Sequence, residues 1–212
     1  YDAGTSQVTY GVPPANLAMT TMQATPCVEM EILPQDLPAY SIKSKLYGGY
    51  NAPNILAAVT IGHYFGISSP AIAAAIGSYE PSNNRSQIMK TPTNVLILDA
   101  YNANPSSMEA AVTTFAAAGY EDKTVILGDM LELGDETDTE HTRLMELVAE
   151  QKFTRVYLVG PAFTRLNTRR ENTCFGDSEL ASMWFTHNKL QGSTILIKGS
   201  RGIKLERLVE TL

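Results

Sequence analysis

Four short, almost continuously apolar runs most restrict what this chain can become: Val95-Leu96-Ile97-Leu98, Thr124-Val125-Ile126-Leu127, Val156-Tyr157-Leu158-Val159 and Thr194-Ile195-Leu196-Ile197. Apolar residues at successive positions, rather than at every second one, suit strands covered on both faces. Helix-type periodicity fills the gaps, over residues 106–118, 139–151, 178–189 and 203–211. Strand–helix alternation makes a right-handed parallel sheet the economical topology, so the expected fold class is α/β with a Rossmann-like, mostly parallel sheet. In such sheets ligands bind beyond the carboxyl ends of the strands, which directs attention to the turn after each run.

The pattern upstream is different. Gln7 to Tyr10, Val28 to Leu33 and Tyr40 to Tyr47 read as short strands split by Pro13-Pro14, Pro34 and Pro38. Helices are expected from Pro53 to Tyr64 and from Pro70 to Ile76. The polar stretch Glu80-Pro81-Ser82-Asn83-Asn84-Arg85 separates the two patterns and predicts a boundary, with domains at 1–81 and 82–212. The first of these reads as the edge of a larger domain.

Composition removes several function classes. Hydrophobic residues at 44% and charged residues at 18% are those of an ordinary globular protein. A net charge of −6 argues against a nucleic-acid partner, because nonspecific affinity for nucleic acid comes from many cations neutralising phosphates. Cys27 and Cys174, the sole cysteines, are too few for a disulfide framework or a zinc site and fit a reducing compartment. No apolar run is long enough for a membrane span. The start, Tyr1-Asp2-Ala3-Gly4-Thr5, lacks the features of a signal peptide, and the expectation is a trimmed cytosolic chain.

Three strands end in polar or glycine-bearing turns: Asp99-Ala100-Tyr101-Asn102-Ala103-Asn104-Pro105, Gly128-Asp129-Met130-Leu131-Glu132-Leu133-Gly134 and Lys198-Gly199-Ser200-Arg201. A strand-end aspartate such as Asp99 is able to accept hydrogen bonds from both hydroxyls of a ribose, and Asn side chains present donor and acceptor to an adenine edge. The same Asn-Ala-Asn-Pro is equally a helix start, with Asn104 capping and Pro105 in the first turn. Asp129 and Glu132 read alternatively as solvated charges around a tight loop. Lys198, Ser200 and Arg201 place cations and a hydroxyl before a helix, where an anion is favoured, or else form a basic surface turn. Upstream, Asn51 and Asn54 in Gly48-Gly49-Tyr50-Asn51-Ala52-Pro53-Asn54 share a helix-entrance face, and Asn51 alone reads as a cap. His63 and His187 lack partner ligands, and His141 shares an apolar stripe with Leu144, Met145 and Val148, so packing is its default role. No metal site is expected.

Taken together and in their order along the chain, these four segments resemble the Mur ligase family, from about Val8 to the end of the chain. The resemblance implies a C-terminal Rossmann-like domain preceded by the last part of a central ATP-binding domain. It also implies a reaction in which ATP phosphorylates the carboxylate of UDP-N-acetylmuramoyl-tripeptide and an amine, here that of D-alanyl-D-alanine, attacks the acyl phosphate, with Mg²⁺ as cofactor. By the same resemblance Asn51 and Asn54 contact adenine, Asp99 holds the ribose, and Arg85 faces the nucleotide phosphates. Tyr101, Asn102 and Asn104 line that cleft, while Lys198, Ser200, Arg201 and Asp129 meet the dipeptide.

The chain departs from the family pattern at three places. Asn84 replaces a glycine before the linker arginine, Leu98 replaces the first of two acids, and Met145 stands where a glycine often follows the helix histidine. Asn tolerates a left-handed backbone, so the first change is mild. No Gly-x-x-x-x-Gly-Lys-Ser/Thr loop occurs, so the β- and γ-phosphates and Mg²⁺ have no cradle here, and no catalytic residue is expected within these 212 residues. Two other readings stand beside this one. A folylpolyglutamate synthase-like ligase would share the C-terminal domain, and a stand-alone dinucleotide-binding module would need a Gly-x-Gly-x-x-Gly turn that the chain lacks.

Overall fold

The computed structural model describes residues 8–11, 14–168 and 172–212, which divide into two compact units, Tyr1–Glu80 and Pro81–Leu212. Gln7, placed at the start of the expected first strand, lies outside the described residues.

In the first unit the strands are β1 (Tyr10–Gly11), β2 (Leu17–Gln23), β3 (Cys27–Pro34) and β4 (Tyr40–Tyr47), hydrogen-bonded in that order. β1 runs parallel to β2, and the other pairs are antiparallel. β3 shows why the alternation was readable: Val28, Met30 and Ile32 point into the core while Glu29 and Glu31 remain on the wetter face. β2 escaped the sequence reading because only Leu17 and Ala18 of Leu-Ala-Met-Thr-Thr-Met-Gln are buried, so no alternation marks it. Helices α1 (Ala52–Tyr64) and α2 (Ser69–Ser78) each carry a proline in the first turn, where its missing N–H costs nothing. Ile55, Leu56 and Val59 of α1 and Ile72 of α2 join the strand side chains in one core. Gly62 lets the helices approach: a Cβ there would lie 2.9 Å from Ile72 Cδ1.

The second unit is the expected α/β sheet. Its strands are β5 (Gln87–Lys90), β6 (Val95–Asp99), β7 (Lys123–Gly128), β8 (Arg155–Val159), β9 (Thr173–Phe175) and β10 (Thr194–Lys198). They lie in the order β5-β6-β10-β7-β8-β9, all parallel to their neighbours except β5, an antiparallel edge strand. Helices α3 (Pro105–Ala117), α4 (Thr137–Glu150), α5 (Pro161–Leu166) and α6 (Ser178–His187) make the connections. The four apolar runs are the inner strands, with Leu96, Ile97, Val125, Ile126, Leu158, Ile195 and Leu196 almost entirely buried. The chain after β10 is not the α-helix expected over 203–211 but two 3₁₀ segments, Arg201–Ile203 and Leu205–Thr211. Lys204, in the left-handed conformation between them, interrupts the α-helical turn, and Leu205 and Leu208 are buried in the core.

The last strand of the chain, β10, inserts between the first two parallel strands, β6 and β7. This places the turns after β6, β7 and β10 side by side at one end of the sheet, although 99 residues separate Asp99 from Lys198 in sequence.

Candidate functional site

The three adjacent turns form a single constellation, and strand register explains its centre. Lys198 at the end of β10 pairs directly with Asp99 at the end of β6, so the two side chains emerge from the same sheet face. Lys198 Nζ donates to Asp99 Oδ2 at 2.8 Å and to the Asn102 carbonyl at 3.3 Å, with the lysine side chain only 3% exposed and the aspartate 13%. The other oxygen of Asp99 accepts the Ser86 backbone N–H at 3.0 Å. Ser86 closes a turn in which Asn83, Asn84 and Ser86 all have positive φ. Asn84, at φ +60°, thus occupies the left-handed conformation that a glycine would take without strain.

Beside this buried pair, Tyr101 has two guanidinium groups over its ring. The Arg85 guanidinium carbon lies 3.6 Å from the ring centroid and that of Arg201 at 5.3 Å. Cations over a ring face are attracted by its quadrupole. A hydrogen bond and the charge of Arg85, with Arg201 adding to them, hold the Tyr101 phenol below the usual tyrosine range. Arg85 and Arg201 are both exposed, so the rim of the constellation offers two positive groups to solvent.

Ser200 ties the turns together. Its Oγ accepts the Leu131 N–H at 2.9 Å and reaches the Ala103 carbonyl at 3.5 Å, and its own N–H donates to the Asp129 carbonyl at 3.2 Å. The approach needs glycine on both strands: a Cβ on Gly199 would lie 2.8 Å from Gly128 Cα. Asn104 caps α3 by accepting the Ser107 N–H at 2.9 Å, and Ser107 Oγ returns the bond to the Asn104 N–H, a complete capping box. The capping reading of that asparagine is therefore realised. Asn102 accepts the Ala103 N–H and is otherwise exposed.

Three of the residues expected on the dipeptide side make their polar contacts within the fold. Lys198 is committed to Asp99, and Ser200, 5% exposed, is committed to neighbouring backbone. Asp129, 1% exposed, turns inward, accepting the N–H groups of Ala162 and Phe163 at 2.8 and 3.1 Å in the first turn of α5. A carboxylate at a helix start is stabilised by free N–H groups and the helix dipole, which makes this a fold contact and leaves no oxygen facing a ligand. Of the four residues, Arg201 alone presents its charge to solvent.

In the first unit, Asn51 and Asn54 do meet: Asn54 Nδ2 donates to Asn51 Oδ1 at 3.2 Å, and Asn51 Nδ2 donates to the Tyr47 carbonyl at 2.8 Å. Asn51 stands at the N-cap position of α1 but makes no side-chain capping bond to it. Asn54 also borders an apolar groove of about 340 Å³ walled by Leu46, Ile55, Ala58, Ile76 and Tyr79.

The Mur ligase, glutamate ligase domain family matches residues 84–201, the stretch that contains all three turns and both arginines. The chain belongs to the Mur ligase family. A Bacillus subtilis relative, UDP-N-acetylmuramoyl-tripeptide–D-alanyl-D-alanine ligase, is 34% identical over 79% of this chain, which spans 38% of that protein's length. Two solved structures share the fold. MurF from Acinetobacter baumannii superposes over 96% of this chain and 46% of its own, with a TM-score of 0.84 and 22% identity. MurF ligase from Thermotoga maritima, in complex with ADP, covers 96% of this chain and 47% of its own, at 0.76 and 19%.

Sequence reasoning about this Mur ligase chain missed Ser86, whose backbone bond to Asp99 no side-chain pattern announces. It also missed Leu131, 42% exposed next to Gly202 and Ser200. Burial pushes the thiols of Cys27 and Cys174 up, the direction opposite to that which activates a cysteine nucleophile. Among the described residues no group of three His, Cys, Asp or Glu side chains is placed to hold a metal, and no helix is long and apolar enough to cross a membrane.

Proposed function

We propose that this chain is the C-terminal part of the ligase that joins D-alanyl-D-alanine to UDP-N-acetylmuramoyl-tripeptide at the expense of ATP in peptidoglycan synthesis. On this reading residues 1–81 end the central ATP-binding domain and residues 82–212 form the C-terminal domain. The observation that carries it is the pair of exposed guanidinium groups, Arg85 and Arg201, held around Tyr101 where the three turns converge. Two fixed cations at the carboxyl end of a parallel sheet suit anionic substrates, and both a nucleotide phosphate and a peptide carboxylate are of that kind.

The donor set fits a nucleotide. Asp99 is still 13% exposed beside Lys198, which holds it in place, and accepts from a ribose hydroxyl. In the first unit, taken by itself, Asn54 is held by Asn51 and borders an apolar groove able to receive a planar base. Arg85 faces the phosphates and Arg201 the dipeptide carboxylate, both within cation–π range of the Tyr101 ring. Tyr101, Asn102 and Asn104 line the nucleotide side, the last by fixing the start of α3. Bound ATP supplies the activated phosphoryl group. Any accompanying Mg²⁺ is held by residues outside this chain, and so is the γ-phosphate, since no phosphate loop occurs here. The residues present bind, orient and exclude water. The groups that would stabilise the phosphoryl transfer itself are not among them.

Phosphate release by the full-length protein tests the reading. It should depend on UDP-N-acetylmuramoyl-tripeptide, ATP, Mg²⁺ and D-alanyl-D-alanine together, and this chain alone should show none above background. Release that ignores the dipeptide, or that responds instead to glutamate and a folate, overturns the assignment.

A further inference from the structure

His141 is fully buried at the centre of the polar network behind the site, where it can touch no substrate. Its surroundings specify its protonation. Nδ1 lies 2.7 Å from the Thr137 carbonyl, which only accepts, so Nδ1 carries a proton. Nε2 lies 3.0 Å from the Met130 backbone nitrogen, which only donates, so Nε2 carries none. Asp129 Oδ1 also approaches Nε2, at 3.5 Å, but both oxygens of that carboxylate already accept helix N–H groups at shorter range. An imidazolium would set an N–H against the Met130 N–H. The other neutral form would do the same and turn a bare nitrogen toward the Thr137 carbonyl. The neutral Nδ1–H form satisfies both hydrogen-bond partners, Thr137 and Met130, and the edge-to-face contact with Phe163 at 4.7 Å holds the ring plane.

We propose that His141, in this tautomer, is the positioning residue for the dipeptide side of the site. Its Nε2 anchors Met130 between two residues that both bind Ser200: the Asp129 carbonyl accepts the Ser200 N–H, and the Leu131 N–H donates to Ser200 Oγ. Ser200 immediately precedes Arg201, so the imidazole sets the direction in which that guanidinium leaves the sheet. Packing alone would be served by any side chain of this volume. The geometry asks for an acceptor at one end of the ring and a donor at the other. The inference rests on the reading in which Arg201 meets the dipeptide carboxylate.

Long-range ¹H–¹⁵N spectra of this chain, with His63→Gln and His187→Gln to assign the other two imidazoles, should show His141 protonated at Nδ1 and bare at Nε2 at neutral pH. An Nε2-protonated or doubly protonated ring overturns the proposal. In the full-length enzyme, His141→Leu should raise the KM for D-alanyl-D-alanine about tenfold while leaving kcat and the KM for ATP within twofold. His141→Gln, whose amide oxygen reaches the Nε2 position, should restore most of the loss. An unchanged dipeptide KM in His141→Leu, in an enzyme where Arg201→Ala does raise it, also overturns the proposal. If Arg201→Ala leaves that constant unmoved, it is the dipeptide reading that fails, and the imidazole spectrum then decides alone whether His141 anchors Met130. Should His141→Leu fail to fold, the wild-type spectrum and the glutamine variant carry the test.

Discussion

Replacing Lys198 with Met keeps most of its volume and deletes the positive charge that faces Asp99. At 2.8 Å and an effective dielectric of about 20, two unit charges attract by roughly 6 kcal/mol. Much of that attraction is offset by the cost of taking both ions out of water, so the intact pair contributes little net stability. Removing one partner is different, because the remaining charge keeps its desolvation cost and loses its compensation, typically about 3–5 kcal/mol. Asp99 retains some exposure and the Ser86 N–H, which places the expected loss near the lower end, about 3 kcal/mol. The single tryptophan, Trp184, packs against Tyr157, Phe175 and Phe185, so its fluorescence follows the second unit specifically. With a urea dependence of about 2 kcal/mol per molar, the midpoint should fall by roughly 1.5 M. Adding Asp99→Asn should recover about 2 kcal/mol relative to the sum of the single losses, since the double variant buries no charge. A midpoint shift below about 0.3 M for Lys198→Met, or strictly additive losses, would refute the pairing and return Lys198 to the pool of cations available to a substrate.

Other consequences are simpler to read. Tyr101 should ionise before the remaining tyrosines in an ultraviolet titration, and Tyr101→Phe should abolish that early fraction, whereas Tyr40 and Tyr157, raised by burial, should ionise late. Because the folded state favours the Tyr101 phenolate, its stabilising effect is complete above the ordinary tyrosine range and is lost as pH falls through the lowered value. Asn104→Ala removes the capping box of α3 and should cost about 1 kcal/mol by the Trp184 transition, with Asn104→Asp nearly neutral. Gly160→Ala should cost at least about 2 kcal/mol, because φ is +136° and the new Cβ would lie 2.3 Å from Asp129 Cγ; a wild-type midpoint would contradict the buried placement of Asp129.

The residues determine by themselves that a parallel α/β sheet forms after residue 81, because four runs apolar at nearly every position fit only strands covered on both faces. They also mark the turns at the strand ends, since the glycines, the Asn104-Pro105 helix start and the clustered polar groups are local signals that need no partner. Strands β2, β5 and β9 are too short or too unevenly buried to carry a period, so neighbouring strands had to define them. What each polar residue does is likewise a tertiary matter. Lys198 reads as a free cation until β10 is placed beside β6, where register sets it against Asp99. Asp129 reads as a surface acid until the N-terminus of α5 arrives over its two oxygens, and Ser200 reads as a ligand contact until the β7 turn lies beside it. Charge and hydrogen-bonding capacity belong to a residue, whereas the partner that consumes them is chosen by the strand order.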